Sequence, residues 1–586
     1  MLRVAATGAL AGGALVAMAA DGGAYFPPSW GWAGLLFLGA VALVLLLAHD
    51  VALSWLELAF LAALAAFVAW VGFSAIWSES VTRTVLELER DLVYVAAAAA
   101  LLLVARPGSS RWMLGAVPVA GAVVCAWSLA TRESSGVRLI GPIGYWNALG
   151  LFAALGTIVA LGFAVEGTHR SIAAAACVPC VATLYLTYSR GASLALAAGV
   201  GVTLALSPRR LTLAGTATLL AAPCAAAAAL AARSEGVGFR LALALLALLA
   251  AAVAPAVDWI AARVNVPART RRAVGIAAAV AAAAIVAVAV IRSGGLGATA
   301  SRTYRSFTGP APTSGKHGRT LLSVSSAGRA EYWQVAWRDF RDHPIAGSGA
   351  GTFALAWDRD RHTIYDVLDA HSLYAEALGE LGVVGGLLAA VALGLPLLAL
   401  RRVRTQPLVA AAAGAYAAFL LHAGLDWDWE MPALTIAGLT CACTLLVAAR
   451  RDALELSLGV RAAALAATGL AAAFVAFTYA GNRDLAHANA AYDAGGYPVA
   501  VDGARRAAHI LRWSADPWHL RADAELAEGL RSPAHESYRR ARDLDPNDWR
   551  LWYGVGITAR GEERRAALAR AAVLNPLARE ILALPK

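Results

Sequence analysis

Apolar residues run along most of this chain in blocks long enough to cross a bilayer, and polar residues fall between them in short connections. The blocks lie near 4–20, 31–48, 54–77, 91–105, 112–130, 147–165, 171–188, 191–206, 211–232, 239–259, 273–291, 381–400, 407–425, 433–449 and 460–480. Each approaches the roughly 20 residues that a helix needs to span about 30 Å of hydrocarbon. The pattern predicts an all-α fold, a polytopic membrane helix bundle of about 12–15 spans. Two stretches interrupt it, a polar loop at 292–380 and a polar tail after 481. The chain thus divides into N-terminal transmembrane helices at 1–291, a large loop at 292–380, C-terminal transmembrane helices at 381–481 and a tail domain at 482–586.

The connections alternate in arginine content. One set carries Arg106, Arg111, Arg170, Arg209, Arg210, Arg263, Arg269, Arg271, Arg272, Arg401, Arg402, Arg404, Arg450 and Arg451. The short loops of the opposite set hold only Arg83, Arg90, Arg132, Arg138, Arg190, Arg233 and Arg240. Arginine-rich short loops stay in the cytoplasm. The N-terminus is therefore expected inside, and the large loop and the tail outside the cytoplasmic membrane. The block at 4–20 has the length of a signal peptide, but so many spans follow that it reads as the first of them.

Composition agrees with a membrane protein. The chain is 59% hydrophobic and 15% charged, with a mean hydropathy of +0.61. Its net charge of +10 is almost all arginine, since Lys316 and Lys586 are the only lysines. The arginines cluster at span ends, which argues against nucleic acid as a partner. All six cysteines lie in apolar runs. Cys177 and Cys180 have a redox-like spacing but no βαβ context, so they read as small packing residues.

The tail repeats a phrase. Arg505–Ala508 leads to Asp516-Pro517, Arg539–Arg542 to Asp545-Pro546, and Ala569–Ala572 to Asn575-Pro576. A proline recurs at about 30 residues, close to the period of helix-turn-helix solenoids. The tail resembles a short, degenerate tetratricopeptide array; an irregular helical bundle is the alternative. Such repeats bind partners and carry no chemistry of their own, so an envelope protein partner is expected there.

Three basic residues stand out on the expected outer face. Arg190 sits in Tyr188-Ser189-Arg190-Gly191, where two apolar blocks meet, and an arginine at a membrane interface is costly unless it binds something. Arg329 opens a predicted amphipathic helix that ends before His343-Pro344. His371 stands in Ala370-His371-Ser372, just before the chain re-enters the membrane. The plain alternatives are a snorkelling arginine, a solvated helix face and a structural histidine. Guanidinium groups match phosphate oxygens with paired hydrogen bonds, and histidine exchanges protons near neutral pH. Together they suit a reaction on a phosphate-linked lipid. Asp358, Asp360, His362 and Asp366 are conceivable metal ligands, but Arg359 and Arg361 interleave with them and no ligand spacing emerges. No metal or cofactor is expected.

The chain resembles the O-antigen ligase and polymerase family of bacterial envelope glycosyltransferases. The resemblance rests on Ser189-Arg190-Gly191, on Gly328-Arg329 with Trp333 and Trp337, on Pro344–Gly349, and on His371–Tyr374 followed by Glu380-Leu381-Gly382. Gly141–Asn147 and Asp426–Pro432 are similar to actinobacterial-type members. It covers roughly residues 30–450, and it departs from the family at Ser372, where many members have asparagine. It implies transfer of a glycan from an undecaprenyl-diphosphate carrier to a glycan or lipid acceptor on the outer face, among membrane lipids and without a metal. Arg190 and Arg329 would hold the diphosphate, and His371 would activate the acceptor hydroxyl. The expected substrate-binding set is Arg190, Arg329, Arg338 and Tyr374.

A ligase and a polymerase of lipid-linked repeat units differ only in the acceptor, which these motifs do not separate. A solute transporter is the reading from a different class, suited by Pro-broken runs such as Cys177–Ser189. Against it, no acidic residue falls in mid-span; Glu57 comes closest, near a span start. A third reading, an inert bundle anchoring the repeats, does not account for the polar loop.

Overall fold

The computed structural model describes residues 2–106, 108–132, 138–263, part of 267–309, 326 and 328–583. It is an all-α membrane fold: nine of the described helices are long and apolar enough to cross a bilayer, with four shorter apolar helices beside them. Most of the predicted span at 273–291 and residues 310–325 of the polar loop lie outside the described residues. Among the described residues, strand pairing is limited to a two-residue antiparallel ladder, Ala52–Leu53 against Leu454–Glu455. The chain forms two compact units: residues 1–113, 332–402 and 423–586, and residues 114–331 and 403–422.

In the first unit, helix Val81–Val104 packs against Pro27–Leu47, Trp55–Ser74 and Pro432–Ala448. It begins ten residues before the apolar block at 91–105. Apolar periodicity missed that start because Thr82, Thr84, Glu89, Arg90 and Asp91 are polar and buried. Close approach elsewhere depends on glycine. A Cβ at Gly31 would lie 2.1 Å from the Tyr479 ring, so helices Pro27–Leu47 and Leu458–Asp493 meet where the former has no side chain. Glu57, the acid nearest to mid-span, is committed to structure. It closes a capping box with Ser54 and receives Arg450, whose guanidinium also donates to the carbonyls of Leu102 and Ala105 at 2.7 and 2.8 Å.

Two motifs that are far apart in sequence prove to be one joint. The turn Pro344–Gly349 docks on Glu380–Gly382, with Val383 N–H donating to Pro344 O at 2.9 Å and Gly349 N–H to Glu380 O at 2.8 Å. Both sides need glycine. Gly347 has φ +73° and a Cβ there would sit 2.1 Å from the Glu380 backbone; Gly382 has φ +66° and its Cβ would meet Ile345 O at 2.2 Å. The Glu380 carboxylate then accepts from Gly351 and Phe353 N–H at 2.8 and 2.9 Å, capping helix Phe353–Asp360.

The last apolar helix does not stop where composition changes at 481. Leu458–Asp493 is continuous over 36 residues, about 54 Å at 1.5 Å per residue, well beyond the bilayer core. Helices Tyr497–Ile510, Asp516–Ala527, Arg531–Leu544, Trp549–Thr558 and Gly561–Leu574 follow, each packed on the next. They are bonded to the rest of the unit through buried polar groups. Asn575 donates to Asp358 at 3.0 Å and accepts from Arg361 at 2.9 Å, Ser80 donates to Asp545 at 2.5 Å, and Asn482 donates to Glu89 at 2.7 Å. Asp358 is thus held by Asn575 and by Arg361 and Arg550, and Asp366 by Arg361.

Two predictions follow from these joints. Gly382→Ala should lower the thermal midpoint of the solubilised protein, since left-handed strain of about 1–3 kcal/mol adds to a backbone clash. Gly394→Ala, on a helix with open space at the Cβ, should match or slightly exceed wild type; equal midpoints for both variants would contradict the joint. The second concerns pH. Burial pushes the Asp358 carboxyl up to about 6 despite Arg550 and Arg361, and the Asp545 carboxyl up to about 6 despite the Ser80 hydrogen bond. Unfolded carboxyls titrate near 4, about two units lower, so between these values the folded state binds more protons and stability falls as pH rises. The tail should resist trypsin better at pH 5 than at pH 7, and Asp545→Asn should remove part of that difference.

Candidate functional site

The site in the first unit is built on the buried polar face of helix Val81–Val104. Arg90 pairs with Glu87 one turn earlier and with Glu430 at 3.2 Å. Asp91 accepts Trp429 Nε1–H at 2.8 Å, and the Tyr94 hydroxyl donates to Trp429 O. These contacts pin the connection Asp426–Met431 to the helix. Its remaining tryptophan, Trp427, stacks edge-on against Tyr25 at 5.2 Å and lies 6.3 Å from the His371 ring.

His371 is held from three sides. Its backbone is left-handed, φ +55°, because the chain must reverse into helix Leu373–Leu398, whose first N–H groups are capped by Ser372. Tyr332 packs against its ring at 5.2 Å opposite Trp427. Nδ1 lies 3.0 Å from Asp369 O; with the proton there donated to that carbonyl, Nε2 is the basic nitrogen. A positive φ on a non-glycine residue costs roughly 1–3 kcal/mol and persists where the surroundings over-determine it. Beside this residue opens a cavity of 220 Å³ with Asp369, Tyr25 and Arg90 among its walls.

The second unit gathers arginines. Tyr188, with φ +51°, turns the chain between two apolar helices, and the Ser189 hydroxyl caps the next by accepting from Ala192 N–H. Arg190 is that helix's first residue. It lies within electrostatic reach of Arg329 and Arg138. Arg329 opens helix Arg329–Asp342 and donates to Ser326 O at 3.4 Å. Arg138 lies over the Trp146 ring, 5.0 Å from its centroid, which gives a role to the phrase Gly141–Asn147. Gly191 leaves room for His422, whose Nε2 would be 3.0 Å from a Cβ there.

The structure therefore brings Arg190 and Arg329 together and adds Arg138. It puts His371 in the other unit, with Tyr332, Trp427 and Asp369 around it. Arg338 is half-buried on helix Arg329–Asp342, six residues and about 1.7 turns beyond Tyr332, on another face of that helix. Tyr374 is 42% exposed in the turn after Ser372. Among the described residues, no three of His, Cys, Asp and Glu gather as a metal-binding set; Asp358 and Asp366 are engaged by arginines. The sequence carried no signal for Arg138, which is one isolated arginine in a connection. Tyr332 and Trp427 lay inside recognisable phrases without an assignable role.

Residues 240–390 match the family model described as O-antigen ligase. The matched stretch contains Arg329, Arg338, His371 and Tyr374 and stops short of Arg190. No curated protein matches the chain. The match supports a glycan ligase or polymerase type of enzyme, with lipid-linked glycans and membrane lipids as its surroundings.

Arg138→Ala should weaken binding of inorganic pyrophosphate to the full-length protein about tenfold, the loss of one charge-assisted hydrogen bond. Isothermal titration in detergent measures it; an unchanged affinity would mean that Arg138 takes no part in anion binding.

Proposed function

We propose that this protein transfers a glycan from an undecaprenyl-diphosphate carrier to an acceptor hydroxyl at the outer face of the cytoplasmic membrane. The observation that carries this reading is the convergence of Arg138, Arg190 and Arg329. The leaving group of the reaction is a diphosphate whose charge grows as the glycosidic bond breaks. Fixed guanidinium groups stabilise that charge without reorganising. In this reading His371 serves the acceptor and the arginines hold the donor. His371 Nε2 takes the proton from the attacking hydroxyl, oxygen bonds the anomeric carbon, and the lipid diphosphate departs.

The tail is read as a tetratricopeptide-like partner-binding domain facing the same outer side. It acts on acceptor choice, which favours a ligase over a polymerase of repeat units. Its polar bonds to Ser80, Asp358 and Arg361 make it part of the folded unit as well.

Transfer measured with purified protein and a lipid-diphosphate-linked glycan tests the reaction. His371→Ala should lose about 10²–10⁴-fold in turnover while still binding the lipid diphosphate. Arg329→Lys should be severely impaired although charge is kept, because an ammonium cannot copy the two-pronged contact. Wild-type turnover by His371→Ala would sink the role of the histidine. The orientation has its own test: a cysteine at Ser532, which is exposed, should react with a membrane-impermeant thiol reagent in intact cells, and labelling only after lysis would reverse the topology.

A further inference from the structure

The 220 Å³ cavity beside His371 has an unusual wall. Tyr25, Phe26 and Trp30 supply aromatic surface, and Glu87, Arg90 and Glu430 supply charge. Glu380 and Glu376 also border it, but backbone N–H groups already occupy them: Gly351 and Phe353 on the first, Ala370 on the second. Glu87 and Glu430 Oε1 are taken by Arg90. Two buried polar atoms remain without a partner, the acceptor Glu430 Oε2 and the donor Arg90 Nε. Glu430 is 5% exposed and Arg90 4%.

A buried acceptor and a buried donor left over in one wall set the chemistry of a ligand. Each unsatisfied group costs about 1–3 kcal/mol, more when charged. A cation would serve Glu430 Oε2 but face the Arg90 guanidinium. An anion would serve Arg90 Nε but face the five carboxyl residues of the wall, Glu87, Asp369, Glu376, Glu380 and Glu430. A hydroxyl donates to the first and accepts from the second. Aromatic side chains beside it offer an apolar face for a ring that carries hydroxyls on its edge. The volume suits one such ring, being below the roughly 300 Å³ at which drug-sized pockets begin.

We propose that this cavity is a saccharide subsite, in which Glu430 and Arg90 grip a sugar hydroxyl and Tyr25, Phe26 and Trp30 pack on the ring, so that the acceptor is held beside His371. The inference rests on the transfer reading only in taking the bound sugar as the acceptor. Asp369 links the two places, since its residue borders the cavity and its carbonyl holds the His371 ring. Trp427 links them again by touching both His371 and Tyr25. Arg90, Glu430 and Phe26 are positioning residues; none is required to exchange a proton.

The test uses the full-length protein and saturation-transfer NMR with methyl α-glucopyranoside, methyl N-acetylglucosaminide and, as a ring without ring hydroxyls, cyclohexylmethanol. At least one glycoside should bind and cyclohexylmethanol should not. Glu430→Gln and Phe26→Ala should each weaken glycoside binding at least fivefold. Phe26 is 63% exposed, so its variant folds even if Glu430→Gln does not. His371→Ala should bind as wild type does. No binding by either glycoside, binding unchanged in Phe26→Ala, equal binding of cyclohexylmethanol, or displacement of the glycoside by magnesium chloride would each overturn the subsite. Glycoside binding with the expected variant effects in a protein that transfers nothing from a lipid diphosphate would overturn the transfer reading and leave the subsite standing. Transfer by Phe26→Ala with an unchanged acceptor KM would overturn the subsite alone.

Discussion

Arg90 is the constraint on which the first unit depends. A guanidinium placed inside a helix bundle, 4% exposed, is tolerated only if its charge is matched. Glu87 and Glu430 do this, and Trp30 lies 5.7 Å from the guanidinium carbon. Removing one partner of such a group typically costs about 3–5 kcal/mol. To make the match, the connection before helix Pro432–Ala448 must come down onto helix Val81–Val104, and Asp91 and Tyr94 hold it there. Trp427 is then fixed, and with it one wall of His371. A buried ion pair adds little as a stabilising device, but it specifies position well.

The glycine-rich joint between Pro344–Gly349 and Glu380–Gly382 works at the other end of the same loop. It sets where helix Phe353–Asp360 starts, through the Glu380 carboxylate, and so where the segment before His371 begins. Phe353 and Trp357 of that helix pack with Val335 and Ala336 into a small core that includes Tyr332 at its edge. The histidine thus stands between two rigid supports, one made of ion pairs and one of backbone contact. Two of the phrases on which the resemblance rests, Pro344–Gly349 and Glu380–Gly382, are accounted for by this scaffold.

The second unit follows a different physical rule. Its core is made of small residues, Cys125, Ala153, Ala154, Cys180 and Ala192 among them, because helices in lipid associate by close packing. Gly121 and Gly156 meet backbone to backbone. Cys177 and Cys180 are free thiols in this packing.

The apolar blocks by themselves determined that the chain is an all-helical membrane protein, because a span of hydrocarbon demands a helix of that length. They also located most helices, and the residue types alone singled out Arg190, Arg329 and His371. Helix Val81–Val104 starts before its apolar block, and helix Leu458–Asp493 runs past the change of composition at 481. Both extensions have one cause: polar residues there are buried against partners hundreds of positions away, Glu430 for Arg90 and Glu89 for Asn482, and a one-dimensional hydropathy pattern cannot register a partner. For the same reason only the tertiary structure decided that Arg138 joins Arg190, that Tyr332 and Trp427 enclose His371, and that one donor and one acceptor remain unpaired in the cavity beside it. These are relations between side chains brought together by packing, and no single stretch of sequence contains them.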